Sequence, residues 1–142
     1  MRALRAFTVV VFGLGLIAAA CGGGGGETTA QAKAKITANW QKFFDPSVST
    51  AERTALLQNA SKLQAAIQTQ ATNPLAKNIK VKVTDVTVQG SQATVTYNIL
   101  SVQTNDTLLA PGSKGTAVKE GGTWKVSQVT FCGLVAAGGG KC

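Results

Sequence analysis

The stretch IKVKVTDVTVQGSQATVTYNI, residues 79–99, alternates apolar and polar side chains over most of its length. Alternation of this kind predicts β-strands with one buried face. Gly90 lies near the middle of the stretch and predicts the turn of a hairpin between two strands. In the first strand the apolar positions shift by one residue after Val83, which predicts a β-bulge near Thr84 and Asp85.

Two more strands are predicted after this hairpin. Pro111-Gly112 leads into a third strand around residues 115–119, and Gly121-Gly122 predicts the turn into a fourth. The fourth strand begins at Trp124 and continues to Phe131, with a second one-residue shift of the apolar positions that predicts another bulge. Four consecutive strands joined by turns predict an antiparallel meander.

The residues before the sheet have helical periodicity. A first helix over residues 28–44 carries its apolar residues on one face: Ile36, Trp40, Phe43 and Phe44. Ser49 and Glu52 form a capping box for a second helix, which ends before Asn73-Pro74. The sequence therefore predicts an α+β roll in which two N-terminal helices pack on a curved four-stranded antiparallel sheet.

The first twenty residues predict an export signal. Arg2 and Arg5 form a charged start, and residues 7–17 form an apolar run too short for a stable transmembrane helix. Residues 18–20 are alanines, which suit a cleavage site. Cys21 follows directly, and the five glycines after it predict a flexible tether.

Residues 16–21, LIAAAC, resemble the lipobox of bacterial lipoproteins, in which the cysteine is acylated and becomes the new N-terminus. The resemblance implies that Cys21 anchors the protein to the cell membrane on its extracytoplasmic face. Ordinary secretion is the alternative, because Ala18-x-Ala20 also suits a general signal peptidase. In that case Cys21 is left as a free thiol.

Charge and composition argue against several classes of function. The chain has fourteen basic and six acidic residues, and loss of Arg2 and Arg5 with the signal leaves twelve against six, a net charge of +6. The lysines are scattered, so no nucleic-acid groove is predicted. The chain contains no histidine, which removes most catalytic triads and zinc sites. No cofactor and no metal site are predicted.

Cys132 and Cys142 are the other cysteines. In an exported chain a disulfide between them is the default, and it closes the glycine-rich tail into a loop. Free thiols or pairing with another chain are the alternatives. The predicted organisation is a lipoprotein signal peptide at 1–20, the lipidated cysteine and tether at 21–29, the roll at 30–132, and a disulfide-closed tail at 133–142.

Four segments span most of the chain after the signal: WQKFF at 40–44, LLQN at 56–59, ATVTY at 93–97 and GTWKVS at 122–127. They resemble the actinobacterial low-molecular-weight antigen family. The resemblance implies a small exported or lipid-anchored domain with a nuclear-transport-factor-like (cystatin-like) roll. It implies a surface antigen, and it transfers no catalytic residue to this chain.

Two functions from different classes follow. The first is a non-enzymatic envelope lipoprotein that binds an envelope protein or a small apolar ligand. Rolls of this kind leave a cavity, and four aromatic residues are candidates for its lining: Trp40, Phe44, Tyr97 and Trp124. The same four residues also have the spacing of core residues.

The second function is an isomerase-like or dehydratase-like enzyme. Asp85 would act as the base and Tyr97 as the hydrogen-bond donor to a developing oxyanion. Both groups must then point into one pocket, with Asp85 removed from water. An aspartate at a bulge commonly binds local backbone amides instead, so the sequence favours the non-enzymatic function.

Overall fold

This computed structural model describes residues 26–142 of the chain. These residues form five α-helices and a four-stranded antiparallel sheet. The helices are α1 (Thr29–Phe43), α2 (Thr50–Ala55), α3 (Gln64–Thr72), α4 (Pro74–Lys77) and α5 (Gln128–Ala137). The strands, which pair in chain order, are β1 (Ile79–Gln89), β2 (Gln92–Ser101), β3 (Thr107–Glu120) and β4 (Thr123–Val126). The predicted α+β class and curved four-stranded sheet are confirmed. No helix within 26–142 is long and apolar enough to cross a membrane.

The predicted bulge in β1 is present. Thr84 is the extra residue between the cross-strand pairs Val83–Tyr97 and Asp85–Thr96. The Thr84 hydroxyl donates a hydrogen bond to the backbone oxygen of Thr96 at 3.2 Å. Valines on both sides of the bulge are therefore buried in the same core: Val81 and Val86.

Helix α1 packs on the sheet through Trp40, which is 1% exposed. The ring centroids of Trp40 and Tyr97 lie 5.7 Å apart. Gly115 of β3 lies so close to Trp40 that a Cβ at this position would be 2.9 Å from Trp40 Cζ2 and 2.7 Å from Thr130 Cγ2. The absence of a side chain at Gly115 therefore sets the distance between helix and sheet.

The prediction of one continuous second helix is wrong. Ser49 caps α2 as expected, but the chain after α2 pairs with β4. Val126 N donates to Leu56 O at 2.8 Å, and Gln58 N donates to Val126 O at 2.9 Å. Backbone groups bound to a strand cannot also continue a helix. Helix α3 therefore starts only after a 3₁₀ turn at Ala60–Lys62.

Strand β3 is longer than predicted and includes Pro111-Gly112, which the sequence indicates as a connection. Gly112 has a φ of 64°, and its N–H donates to Asn98 Oδ1 at 3.0 Å. The register between β2 and β3 shifts on both sides of the Ile99–Ala110 pair. A side chain thus supplies the hydrogen bond that the interrupted ladder leaves unmade.

The chain after β4 forms helix α5, so the predicted second bulge is wrong. The Ser127 hydroxyl caps this helix by accepting a hydrogen bond from Thr130 N at 3.1 Å. Phe131 and Val135, four residues apart, are buried, whereas Val129 is exposed. The apolar positions after residue 127 therefore follow helical spacing.

The disulfide between Cys132 and Cys142 is present, with Cα atoms 5.5 Å apart. Residues 133–137, predicted as part of a tail, are helical. After the helix the chain turns back, and Gly140 N donates to Val135 O at 2.8 Å. The disulfide therefore fastens the end of the chain to α5.

Gly115→Ala is expected to destabilise the fold by about 1 to 3 kcal/mol, because the new methyl group overlaps the side chains of Trp40 and Thr130 in a filled core. Urea unfolding followed by far-ultraviolet circular dichroism measures this loss.

Gly133→Ala is the matched control for this substitution. A Cβ at Gly133 meets nothing within 4 Å, and alanine is favoured over glycine inside a helix by about 1 kcal/mol. We expect this variant to be as stable as the wild type or more so. Equal losses in both variants would contradict the close approach of Trp40 to β3.

Candidate functional site

A cavity of about 310 Å³ lies between the helices and one end of the sheet. Small-molecule sites in proteins commonly measure about 300 to 1,000 Å³, so this cavity falls at the lower end. Its wall is mainly apolar, with Val81, Tyr97 and Ile99 on the sheet and Ile67, Phe131 and Val135 on the helices. Such a wall suits an apolar occupant.

The mouth of the cavity is also apolar. Leu75 of α4 and Leu109 of β3 belong to the wall, yet they are 58% and 53% exposed. A residue that lines a cavity and also reaches solvent lies at its opening. Apolar side chains at an opening are compatible with entry of an apolar ligand.

Two of the four aromatic residues singled out in the sequence belong to the wall. Phe44 and Tyr97 line the cavity, and their rings are stacked with centroids 6.1 Å apart and an angle of 19° between planes. Burial raises the pKa of the Tyr97 hydroxyl above its ordinary value of 10.0, so this group stays neutral near pH 7.

The structure places the two tryptophans elsewhere. Trp40 is in the core between α1 and the sheet, and it does not line the cavity. Trp124 is also buried, and its indole Nε1 donates to Glu27 Oε2 at 2.7 Å. Both side chains therefore fill the core, as the periodicity of their segments allows.

The structure does not bring Asp85 and Tyr97 together. Asp85 is exposed at the β1 bulge and accepts a hydrogen bond from the Thr87 hydroxyl at 3.4 Å. Tyr97 is buried and lines the cavity, whereas Asp85 is absent from the cavity wall. This pair therefore lacks the shared pocket that acid–base catalysis requires.

Arg53 of α2 is a wall residue that the sequence analysis missed. Within residues 26–142 it is the single charged residue lining the cavity. Thr50, Arg53 and Thr54 all line it, and their spacing of three and four residues puts them on one helical face. That spacing was the available sequence signal.

Glu27 forms a separate charged cluster where the described chain begins. One carboxylate oxygen accepts hydrogen bonds from Lys119 Nζ at 2.9 Å and Trp124 Nε1 at 2.7 Å, and the other lies 2.9 Å from Lys35 Nζ. The pKa of Glu27 is lowered from 4.5 to about 2. The main cause is the hydrogen bond from Lys35, followed by those from Lys119 and Trp124. The start of the domain is thus bound to α1, β3 and β4.

No metal site accompanies these features. Residues 26–142 contain no group of three or more acidic or cysteine side chains placed to hold an ion. Cys21, the predicted lipidation site, lies outside the residues that the structure describes.

A protein-family model described as "Low molecular weight antigen MTB12, C-terminal domain" matches residues 29–142. The match covers the whole roll, including α5 and the disulfide. Neither a curated protein nor a solved structure matches this chain significantly.

The pKa of Glu27 predicts a specific acid dependence of stability. Because the folded-state pKa of about 2 lies below the ordinary 4.5, the contribution of Glu27 is complete above about pH 4.5 and disappears as the pH falls towards 2. Between these pH values the wild type should lose more stability than Glu27→Gln. Urea unfolding over a pH series, followed by circular dichroism, measures the difference.

Trp124→Phe is the companion variant because it removes the indole N–H and keeps an aromatic ring. One of three partners of Glu27 is lost, so an intermediate pH dependence is expected. If the wild type and Glu27→Gln lose stability in parallel over this range, the cluster does not hold the carboxylate as described.

Proposed function

The chain belongs to the low-molecular-weight antigen MTB12 C-terminal domain family, and we propose that it is an exported, lipid-anchored envelope protein whose roll binds a small apolar ligand. Membership makes it a surface-antigen-like protein. The anchoring and the ligand are the new parts of the proposal. No reaction is included, because Asp85, the base of the enzymatic alternative, does not line the cavity with Tyr97.

The cavity is the observation that carries the proposal. Its volume, its apolar wall and the two exposed leucines at its mouth suit an alkyl chain entering from solvent or from a nearby lipid surface. Each methylene that leaves water for such a cavity gains about 0.8 kcal/mol. A short alkyl chain therefore supplies enough favourable free energy to offset part of the cost of association.

The position of Glu27 supports a domain held close to the membrane. Glu27 follows Cys21 by six positions and is bound to the sheet through Lys119 and Trp124. Six extended residues reach at most about 20 Å, at roughly 3.3 to 3.6 Å per residue. A lipid anchor at Cys21 would thus keep the start of the domain near the membrane surface, while the cavity lies at the other end of α1, beside Phe43 and Phe44.

Anchoring at Cys21 is tested by the mass of the processed protein. We expect full-length protein expressed in a lipoprotein-processing bacterium to yield a membrane-bound chain that starts at Cys21 and carries the added mass of its acyl chains. Cys21→Ala should lose both the added mass and the membrane association. An unmodified soluble product from the wild type would instead establish ordinary secretion.

Ligand binding is tested by crosslinking with decanol that carries a photoreactive diazirine. Membranes containing the full chain are irradiated, and labelled peptides are identified by mass spectrometry. Ala71→Phe places a ring in the wall and should reduce labelling of wall peptides about tenfold, the effect of removing roughly two buried methylenes.

Ala65→Phe is the matched control, since Ala65 is exposed on the same helix and does not line the cavity. We expect its labelling to equal that of the wild type. Labelling that is spread evenly over the chain, or that Ala71→Phe leaves unchanged, would exclude the cavity as the binding site and direct attention to an envelope protein as the partner.

A further inference from the structure

Arg53 is a charged residue in a cavity wall that is otherwise uncharged within the described part of the chain. The wall around it is mainly apolar, and its Nε atom is buried with no hydrogen-bond partner among residues 26–142. Buried donors in folded proteins are nearly always paired, and a charged donor without a partner is costly. The Nε–H of Arg53 therefore has no acceptor within this part of the chain.

No carboxylate of residues 26–142 forms an ion pair with Arg53. The ion pairs in this part of the chain use lysines and do not include Arg53. Asp45 is near enough to feel the charge of Arg53, but its pKa is lowered chiefly by Ser47. Asp45 Oδ1 accepts hydrogen bonds from Ser47 N at 2.8 Å and from Ser47 Oγ at 2.6 Å.

Two other polar wall residues, Thr54 and Asn73, already donate hydrogen bonds within the protein. The Thr54 hydroxyl donates to Thr50 O at 2.7 Å, and Asn73 Nδ2 donates to Gln70 Oε1 at 3.4 Å. Arg53 is thus the charged donor of the wall, and its Nε makes no hydrogen bond within residues 26–142. A guanidinium presents its N–H groups in a planar fork that matches a carboxylate or a phosphate.

We propose that the cavity binds an alkyl amphiphile with a carboxylate head, such as a medium-chain fatty acid, and that Arg53 binds the head while the apolar wall holds the chain. This inference rests on the proposed ligand-binding function and specifies the chemistry of the ligand. One arginine balances one negative charge, which favours a carboxylate over a doubly charged phosphate head. The apolar surroundings strengthen the pairing, because few other groups or waters screen it.

The test compares three photoreactive ten-carbon probes, decanoate, decanol and decyl phosphate, on membranes that contain the full chain. Irradiation is at mildly alkaline pH so that the carboxylate is ionised. We expect decanoate to label wall peptides of the wild type at least about tenfold more than decanol, the ratio for one charge-assisted hydrogen bond. Decyl phosphate should label less than decanoate.

Substitutions of Arg53 distinguish the contribution of the ligand's head group to binding from the contribution of its alkyl chain. Arg53→Met keeps an unbranched apolar side chain and removes the charge, so decanoate labelling should fall about tenfold while decanol labelling is unchanged. Arg53→Lys keeps the charge without the fork and should retain part of the preference for decanoate. Lys62→Met, an exposed lysine outside the wall, should behave as the wild type.

The outcomes distinguish this inference from the function on which it rests. Equal labelling by decanoate and decanol in the wild type would contradict the preference for a carboxylate head but would agree with an apolar binding site. Absence of wall labelling by every probe overturns both. Stronger labelling by decyl phosphate overturns the carboxylate in favour of a phosphate head. Unchanged decanol labelling in Arg53→Met shows that this variant is folded, and Arg53→Lys provides the second test if it is not.

Discussion

The contact between Trp40 and the bare backbone of Gly115 is the constraint on which the architecture depends. It allows α1 to lie directly on the sheet, where Trp40 and Tyr97 fill the space between the two layers. Helix α1 ends at Phe43, so the rest of the sheet is covered by the short helices and by α5. The shorter helices cover their part of the sheet less completely than α1 covers its part. The cavity is the space left between the shorter helices and the sheet.

Local patterns in the sequence predicted the elements whose hydrogen bonds are made nearby. Strands β1 and β2 are joined by a tight turn, and even the bulge at Thr84 follows from the shift of the valines. The second helix was predicted wrongly because its break depends on pairing between Leu57 and Val126, nearly seventy positions apart. Strand periodicity and helical periodicity also coincide over short apolar runs, and the start of α5, up to Phe131, was therefore predicted as a strand.

The site was predicted less well than the fold, for a related reason. Aromatic periodicity identifies buried rings, but it does not distinguish Phe44 and Tyr97, which reach the cavity, from Trp40 and Trp124, which do not. Arg53 was missed because most arginines on short helices are solvated, and only the packing of α2 shows that this one has a buried Nε. Glu27 gave no sequence signal either, since two of its three partners, Lys119 and Trp124, are more than ninety positions away.

The Cys132–Cys142 disulfide makes the fastening of the chain end to the cavity wall depend on oxidation of the chain. Helix α5 supplies part of the cavity wall, including Val135, and the bond ties the chain end against that helix. Disulfides form in oxidising compartments and are rare in the cytosol. A newly made chain would therefore lack this fastening of its end to α5 until its cysteines are oxidised. With the export and the ligand proposed above, the cavity would receive both this fastening and its ligand outside the cytosol.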